Sequence, residues 1–201
     1  MQKFNGYDDA KKQAEAKATE KLPVGSYVCK VQEVRTDADR IVIAFDIEEG
    51  KYKGFFDKQF KANTSEDKKW KGKVNIFIPK DDGSELDGYT KRTFASWTSS
   101  FEKSNKGYSW DWDEKKWKGK LIGIVFGETG TVIDGREITY TEARFPVEVE
   151  AVRNGTAPVA KFKAKNGYKG TGTSGNGGSA EESADSFMKF DTGDNKSELP
   201  F

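Results

Sequence analysis

At 201 residues the chain has room for one well-cored domain with appendages and too little for two comfortable ones. Charged residues make up 33% and hydrophobic residues 34%, so the core must be modest and lean on 14 Phe, 7 Tyr and 5 Trp. With no histidine, a lone Cys29 and no apolar run near the ~20 residues of a membrane span, the sequence argues against a Cys/His metal centre, a general base poised near neutral pH, an internal disulfide and a membrane-spanning protein.

The formal net charge of +1 hides an asymmetry. Residues 166–201 hold three lysines against six acids, which leaves the body about four charges positive and the tail about three negative. That polarity suits an anionic ligand on the body and an interaction role for the tail. Residues 1–20 are polar and carry no apolar signal-peptide core, so an intracellular, reducing compartment is expected.

In chain order, residues 5–21 are rich in helix formers, with Ala10, Ala14 and Ala18 four apart, and predict a weakly anchored helix. Pro23 and Gly25 break it. A strand follows over 26–35, then a turn at Asp37-Ala38-Asp39. The alternation of Ile41, Ile43, Phe45 and Ile47 marks the most secure strand, over 40–48. Residues 51–62 predict a third strand in which Tyr52, Phe55, Phe56 and Phe60 interleave with Lys51, Lys53, Lys58 and Lys61. Residues 73–79 fit a short strand or an apolar connector. Phe94, Trp97 and Phe101 then recur at spacings of three and four, predicting a helix over 87–105 capped by Asp87 or Thr90. A strand over 120–127, a turn at 128–130, a hairpin around Asp134-Gly135 and a last strand over 147–152 complete the body. From Gly155 onward order is expected to fade, with residues 166–180 a Gly/Ser tether. The hexapeptide Lys68-Lys69-Trp70-Lys71-Gly72-Lys73 recurs letter for letter as Lys115-Lys116-Trp117-Lys118-Gly119-Lys120. Each copy leads into an apolar run and could give two strands a basic rim.

Three strands, a helix, then further strands is the order of a mainly β, five-stranded barrel with one helix after the third strand, the oligonucleotide/oligosaccharide-binding fold. Generic α+β sheets share it. The expected organisation is a polar helical segment over 1–21, the barrel over 22–155, and a flexible linker with an acidic tail over 156–201.

Single-strand binding needs flat rings for bases and cations for phosphates. The third strand offers Lys51, Tyr52, Lys53, Phe55, Lys58, Phe60 and Lys61; the repeats add Trp70, Lys73, Trp117 and Lys118; the stretch between helix and strand adds Trp110 and Trp112; and the hairpin adds Arg136, Tyr140 and Arg144. Each has a plainer reading. A half-buried strand puts Phe inward and Lys outward in any case, loop tryptophans cap barrel ends, and a hairpin can simply be solvated. The acidic pairs Asp8-Asp9, Glu48-Glu49 and Asp81-Asp82 fall in turns or polar termini, where a solvated carboxylate is the default. Neither a Walker-type phosphate loop nor a nucleophile elbow is present. A non-enzymatic protein without metal or cofactor is expected.

At the C-terminus a small apolar island (Phe187, Met188, Phe190) precedes acids and then Glu198-Leu199-Pro200-Phe201. A terminal Phe joins a ring and a free carboxylate on one residue, which suits a pocket with an apolar base and a basic rim. This ending, on a Gly-rich tether with scattered acids, resembles the C-terminal tip of bacterial and phage single-stranded-DNA-binding proteins, although Asn195-Lys196-Ser197 interrupts the acidic run. The body over 20–153, from Leu22-Pro23-Val24-Gly25-Ser26-Tyr27 to the strand at 120–127, is similar to a family of phage-encoded proteins with a single-strand-binding role. The resemblance implies an oligonucleotide-binding barrel, single-stranded DNA as ligand, replication and recombination proteins as partners of the tip, and action in the cytoplasm of an infected bacterial host. Self-association is left open, and an oligosaccharide-binding barrel or a pure interaction module are the rival readings.

Overall fold

The structure is a computed structural model and describes residues 5–7 and 21–170. Most of the N-terminal helix expected over 5–21, and the tail from residue 171 with its tip Glu198-Leu199-Pro200-Phe201, lie outside the described residues.

β1 (Gly25–Thr36) and β2 (Arg40–Ile47) pair antiparallel, from Cys29 opposite Ile47 to Thr36 opposite Ile41. Ile41, Ile43, Phe45 and Ile47 are buried, as their alternation predicts. The register slips between Val31 and Glu33. This bulge brings Glu33 opposite Ala44 and Arg35 opposite Val42, so both join the face away from the core.

The third strand expected over 51–62 is instead a turn followed by α1 (Phe55–Ala62). Gly50 and Gly54 both take positive φ, 80° and 71°, and turn the chain back so that Gly54 N–H reaches Ile47 O at 2.9 Å. No side chain of the turn caps the helix; Asp46 does so from β2, accepting from Phe56 N at 2.9 Å and Asp57 N at 3.0 Å. Phe55 and Phe56 are buried, with Phe56 edge-on to Phe45 at 5.7 Å. The Phe/Lys interleaving was thus helical amphipathicity rather than strand alternation.

β3 (Lys73–Phe77) pairs antiparallel with β2, Lys73 opposite Ala44 and Phe77 opposite Arg40. α2 (Glu85–Ser104) buries Phe94, Trp97 and Phe101, as expected. Its cap is Ser84 rather than Asp87 or Thr90: the Ser84 hydroxyl accepts from Asp87 N at 3.1 Å. The Asp87 carboxylate turns back to accept from Lys80 N and Asp81 N and pairs with Lys91, which holds its pKa below the usual carboxylate range. At the far end the Asn105 amide donates to Leu121 O and accepts from Leu121 N, tying the helix to the next strand.

β4 (Leu121–Ile133) and β5 (Arg136–Val147) form a long hairpin on Asp134-Gly135, whose φ values of 49° and 72° make a type I′ turn. The turn expected at 128–130 does not exist, since β4 runs straight through it. Gly127 and Gly130 permit close approach: an added Cβ would lie 2.7 Å from Ala160 and 2.5 Å from Tyr168, respectively. The last strand expected over 147–152 becomes the end of β5 and a short helix, α3 (Val149–Arg153), held by Ser104 Oγ accepting from Val149 N and by an Arg153–Glu49 ion pair. Residues 156–170, assigned to the linker from composition, return along β4. There β6 (Lys163–Ala164) pairs parallel with Thr129 and Gly130.

The result is a mainly β, six-stranded open sheet of order β3-β2-β1-β4-β5, with β6 beside β4. No ladder joins β3 to β5 among the described residues, so the expected five-stranded barrel is not closed. α2 packs against β3, β4 and β5.

Candidate nucleic-acid interface

Because side chains alternate across a sheet, the buried set on β2 fixes what lies on its opposite face: Arg40, Val42 and Ala44. The bulge in β1 adds Glu33 and Arg35, and the register of β3 adds Lys73, Asn75 and Phe77. Three rows cross this face: Glu33, Ala44 and Lys73; Arg35, Val42 and Asn75; Arg40 and Phe77. The small central residues leave an open groove of about 330 Å³, lined by Glu33, Arg35, Val42, Ala44, Lys69, Trp70 and Lys73.

Trp70 is half-buried on the groove wall. Its indole N–H donates to Phe45 O at 3.1 Å and Gly72 O at 3.0 Å, and its ring packs on Phe60 at 5.7 Å. This fixes the ring without covering it. Phe77 is 52% exposed. Arg35 meets Asp37 at 3.1 Å, and Arg40 lies 3.4 Å from Asp39, so both arginines are partly neutralised. Among the described residues no acid pairs with Lys69 or Lys73, which leaves the β3 side of the groove as its cationic bank. Glu33 makes the β1 side less favourable to an anion.

The other expected site residues divide. Lys51 lies over the Tyr52 ring at 5.2 Å, Tyr52 packs edge-on to Tyr27 and Phe55, Lys53 pairs with Glu48, and Lys61 pairs with Asp57. Lys58 is exposed on α1. Of this group Phe60 supports the groove indirectly, as the ring packed on Trp70, and does not line it. Phe55 is core. Trp117 is core too: it is 0% exposed and stacks on Phe101 at 4.6 Å, so no base can reach it. Trp110 is half-buried between Phe94 and Trp117. Trp112 is 80% exposed, lies parallel to Phe94 at 6.4 Å, and holds a φ of 65° that a bulky residue rarely adopts. Lys118, next to Trp117 in sequence, is exposed.

On the hairpin, Arg136 is exposed and Tyr140 half-buried, while the Arg144 side chain is only 7% exposed. Its guanidinium reaches Glu142 at 3.0 Å, Glu128 O at 2.9 Å and Thr129 Oγ1 at 2.7 Å, so it is a structural strut. Burial lowers its pKa against the opposing pull of Glu142. Burial likewise raises the Cys29 thiol well above its usual range, with Asp46 adding to the effect, and leaves it unreactive.

Sequence reasoning found Trp70 and Lys73 but missed Arg35, Arg40, Lys69 and Phe77. For Phe77 the signal was present: if Val74 and Ile76 face inward, Lys73, Asn75 and Phe77 face outward. Among the described residues no group of acids and cysteine could hold a metal, and no helix is long and apolar enough to cross a membrane. No protein-family model matches the chain, and no curated protein matches it. The functional reading therefore rests on geometry.

Proposed function

We propose that the chain binds single-stranded DNA without sequence preference along the outer face of β1, β2 and β3, and that the open sheet is an oligonucleotide-binding barrel whose gap between β3 and β5 is plugged by α2. The strand order and the position of α2 between β3 and β4 support the barrel reading. The observation that carries the functional reading is the groove itself, where a fixed, half-exposed Trp70 adjoins two lysines that no acid pairs with among the described residues, over a floor of Val42 and Ala44.

A base stacked on Trp70 gains about 1–3 kcal/mol. Lys69 and Lys73 take its phosphates, which run on the β3 side because Glu33 repels them from the other bank. Phe77, one β3 face position beyond Asn75, offers a second ring further along. Glu198-Leu199-Pro200-Phe201 would then recruit replication and recombination proteins in the cytoplasm of a phage-infected bacterium.

The test is a titration of the full chain with unstructured oligothymidine at low and moderate salt, with duplex of equal length as control, read by tryptophan fluorescence and by mobility shift. Preferential single-strand binding that weakens with salt is expected, together with a marked loss in Lys73→Glu. Absence of single-strand binding in both readouts refutes the function; full binding by Lys73→Glu refutes the assigned face.

A further inference from the structure

The β4–β5 hairpin closes on a two-residue turn, with Ile133 opposite Arg136. In such a hairpin the pair flanking the turn exchanges both ladder bonds, and bonded and non-bonded pairs then alternate. Arg136, Ile138 and Tyr140 therefore direct their backbone groups to β4. The N–H and C=O of Glu137, Thr139 and Thr141 point away from it. β5 ends the sheet on that side, with no strand beyond it among the described residues. Residues 136–139 are exposed, Ile138 among them at 41%. A long edge strand of this kind is a template for pairing.

The edge also reads as its own complement. When a second copy is laid antiparallel with the two-fold axis at Thr139, Arg136 stands opposite Glu142, Glu137 opposite Thr141, Ile138 opposite Tyr140, and Thr139 opposite itself. The two attractive charge pairs arise together by symmetry, and the exposed Ile138 is covered by a Tyr ring. Thr139 with Thr139 and Glu137 with Thr141 are then the hydrogen-bonded pairs, and these residues hold the backbone groups turned away from β4. Neighbouring registers are disfavoured. An axis at Ile138 sets Asp134 opposite Glu142, and an axis at Tyr140 sets Arg136 opposite Arg144, so each opposes like charges. On its own chain Glu142 meets Thr129, Arg144 and Lys165 mainly through Oε1, while Oε2 has one longer contact, to Lys165 at 3.3 Å.

We propose that two copies of this chain associate through β5, in that register, into a two-fold dimer with a continuous sheet. A single ladder of seven residues is a small interface, so association is weak, in the micromolar range. The proposal stands apart from the DNA reading and is tested without nucleic acid.

Sedimentation velocity on the full chain across micromolar concentrations is expected to show the mass rising from one chain toward two. Thr139→Pro removes an N–H that the β4 ladder does not use, so the monomer should keep its circular dichroism while the dimer is lost. Arg136→Glu turns both attractive pairs repulsive and should weaken self-association about tenfold or more. Thr139→Cys should oxidise to a covalent dimer, because directly opposed residues lie within disulfide reach, while the wild type with its buried Cys29 does not. A wild type that stays one chain at the highest concentration overturns the proposal. So does a dimer that Arg136→Glu leaves intact, and this surface variant decides the matter even if Thr139→Pro fails to fold.

Discussion

The first copy of the repeated hexapeptide lays Trp70 on the wall of an open groove, whereas the second drives Trp117 into the core. Up to a point the copies behave alike, since each runs beside an existing strand: Phe45 N donates to Gly72 O at 2.7 Å, and Gly119 N donates to Val31 O at 2.8 Å. They part because of what precedes and faces them. Asp113 accepts from Lys115 N and starts a 3₁₀ turn over Glu114–Trp117 that swings the indole toward Phe101 of α2. The first copy has no such turn, and Phe56 already fills the space beneath it, against Gly72. Identical local sequence therefore yields a pillar in one place and a platform in the other.

The largest expected effect follows from that contrast. Trp117→Ala removes a fully buried ring and should cost about 3–5 kcal/mol in chemical denaturation. Trp70→Ala should cost less stability yet lower oligothymidine affinity by about 1–3 kcal/mol, with Trp70→Phe recovering most of it through its ring. If Trp70→Ala proved the more destabilising of the two while leaving affinity unchanged, the distinction between pillar and platform would collapse.

The glycines sharpen it. A Cβ on Gly72 would lie 2.3 Å from Phe45 O and 2.7 Å from the Phe56 ring, so β2 and α1 would have to separate. A Cβ on Gly119 meets nothing within 4 Å, and only its φ of 82° resists substitution. Gly72→Ala should thus lose about 3 kcal/mol and Gly119→Ala about 1 kcal/mol, compared by denaturant midpoints. The reverse order would mean that backbone strain, and not packing, holds the first copy in place.

Features whose causes are local were legible in the sequence. The alternation of Ile41, Ile43, Phe45 and Ile47, the spacing of Phe94, Trp97 and Phe101, and the Asp134-Gly135 turn each declare themselves within a few residues. α1 was misread because Lys interleaves with Phe there, although Phe56 and Phe60 stand four apart and two glycines precede the helix. Gly130 looked like a turn residue because the group that presses on it, Tyr168, comes more than 30 positions later. The groove was half legible for the same reason: Trp70 and Lys73 stand out in the repeat, but Arg35 joins them only through a bulge that no alternation announces.

The lysines separate groove binding from diffuse attraction. Lys69 and Lys73 occupy the second and sixth positions of the first copy, and Lys116 and Lys120 occupy the same positions in the second. Lys116 is paired with Asp111, and Lys120 lies 4.1 Å from the Tyr108 ring, whereas the first pair lines the groove. Replacing either pair with alanine removes the same two charges from the same motif. If each groove lysine contacts one phosphate, Lys69→Ala/Lys73→Ala should flatten the slope of log affinity against log salt by about 1.4, at roughly 0.7 per contact on a single strand. Lys116→Ala/Lys120→Ala should leave the slope nearly unchanged, because these ammonium groups release no counterions to a strand bound elsewhere. Equal flattening in both double variants would instead trace the binding to net charge, and the groove would lose its claim to the ligand.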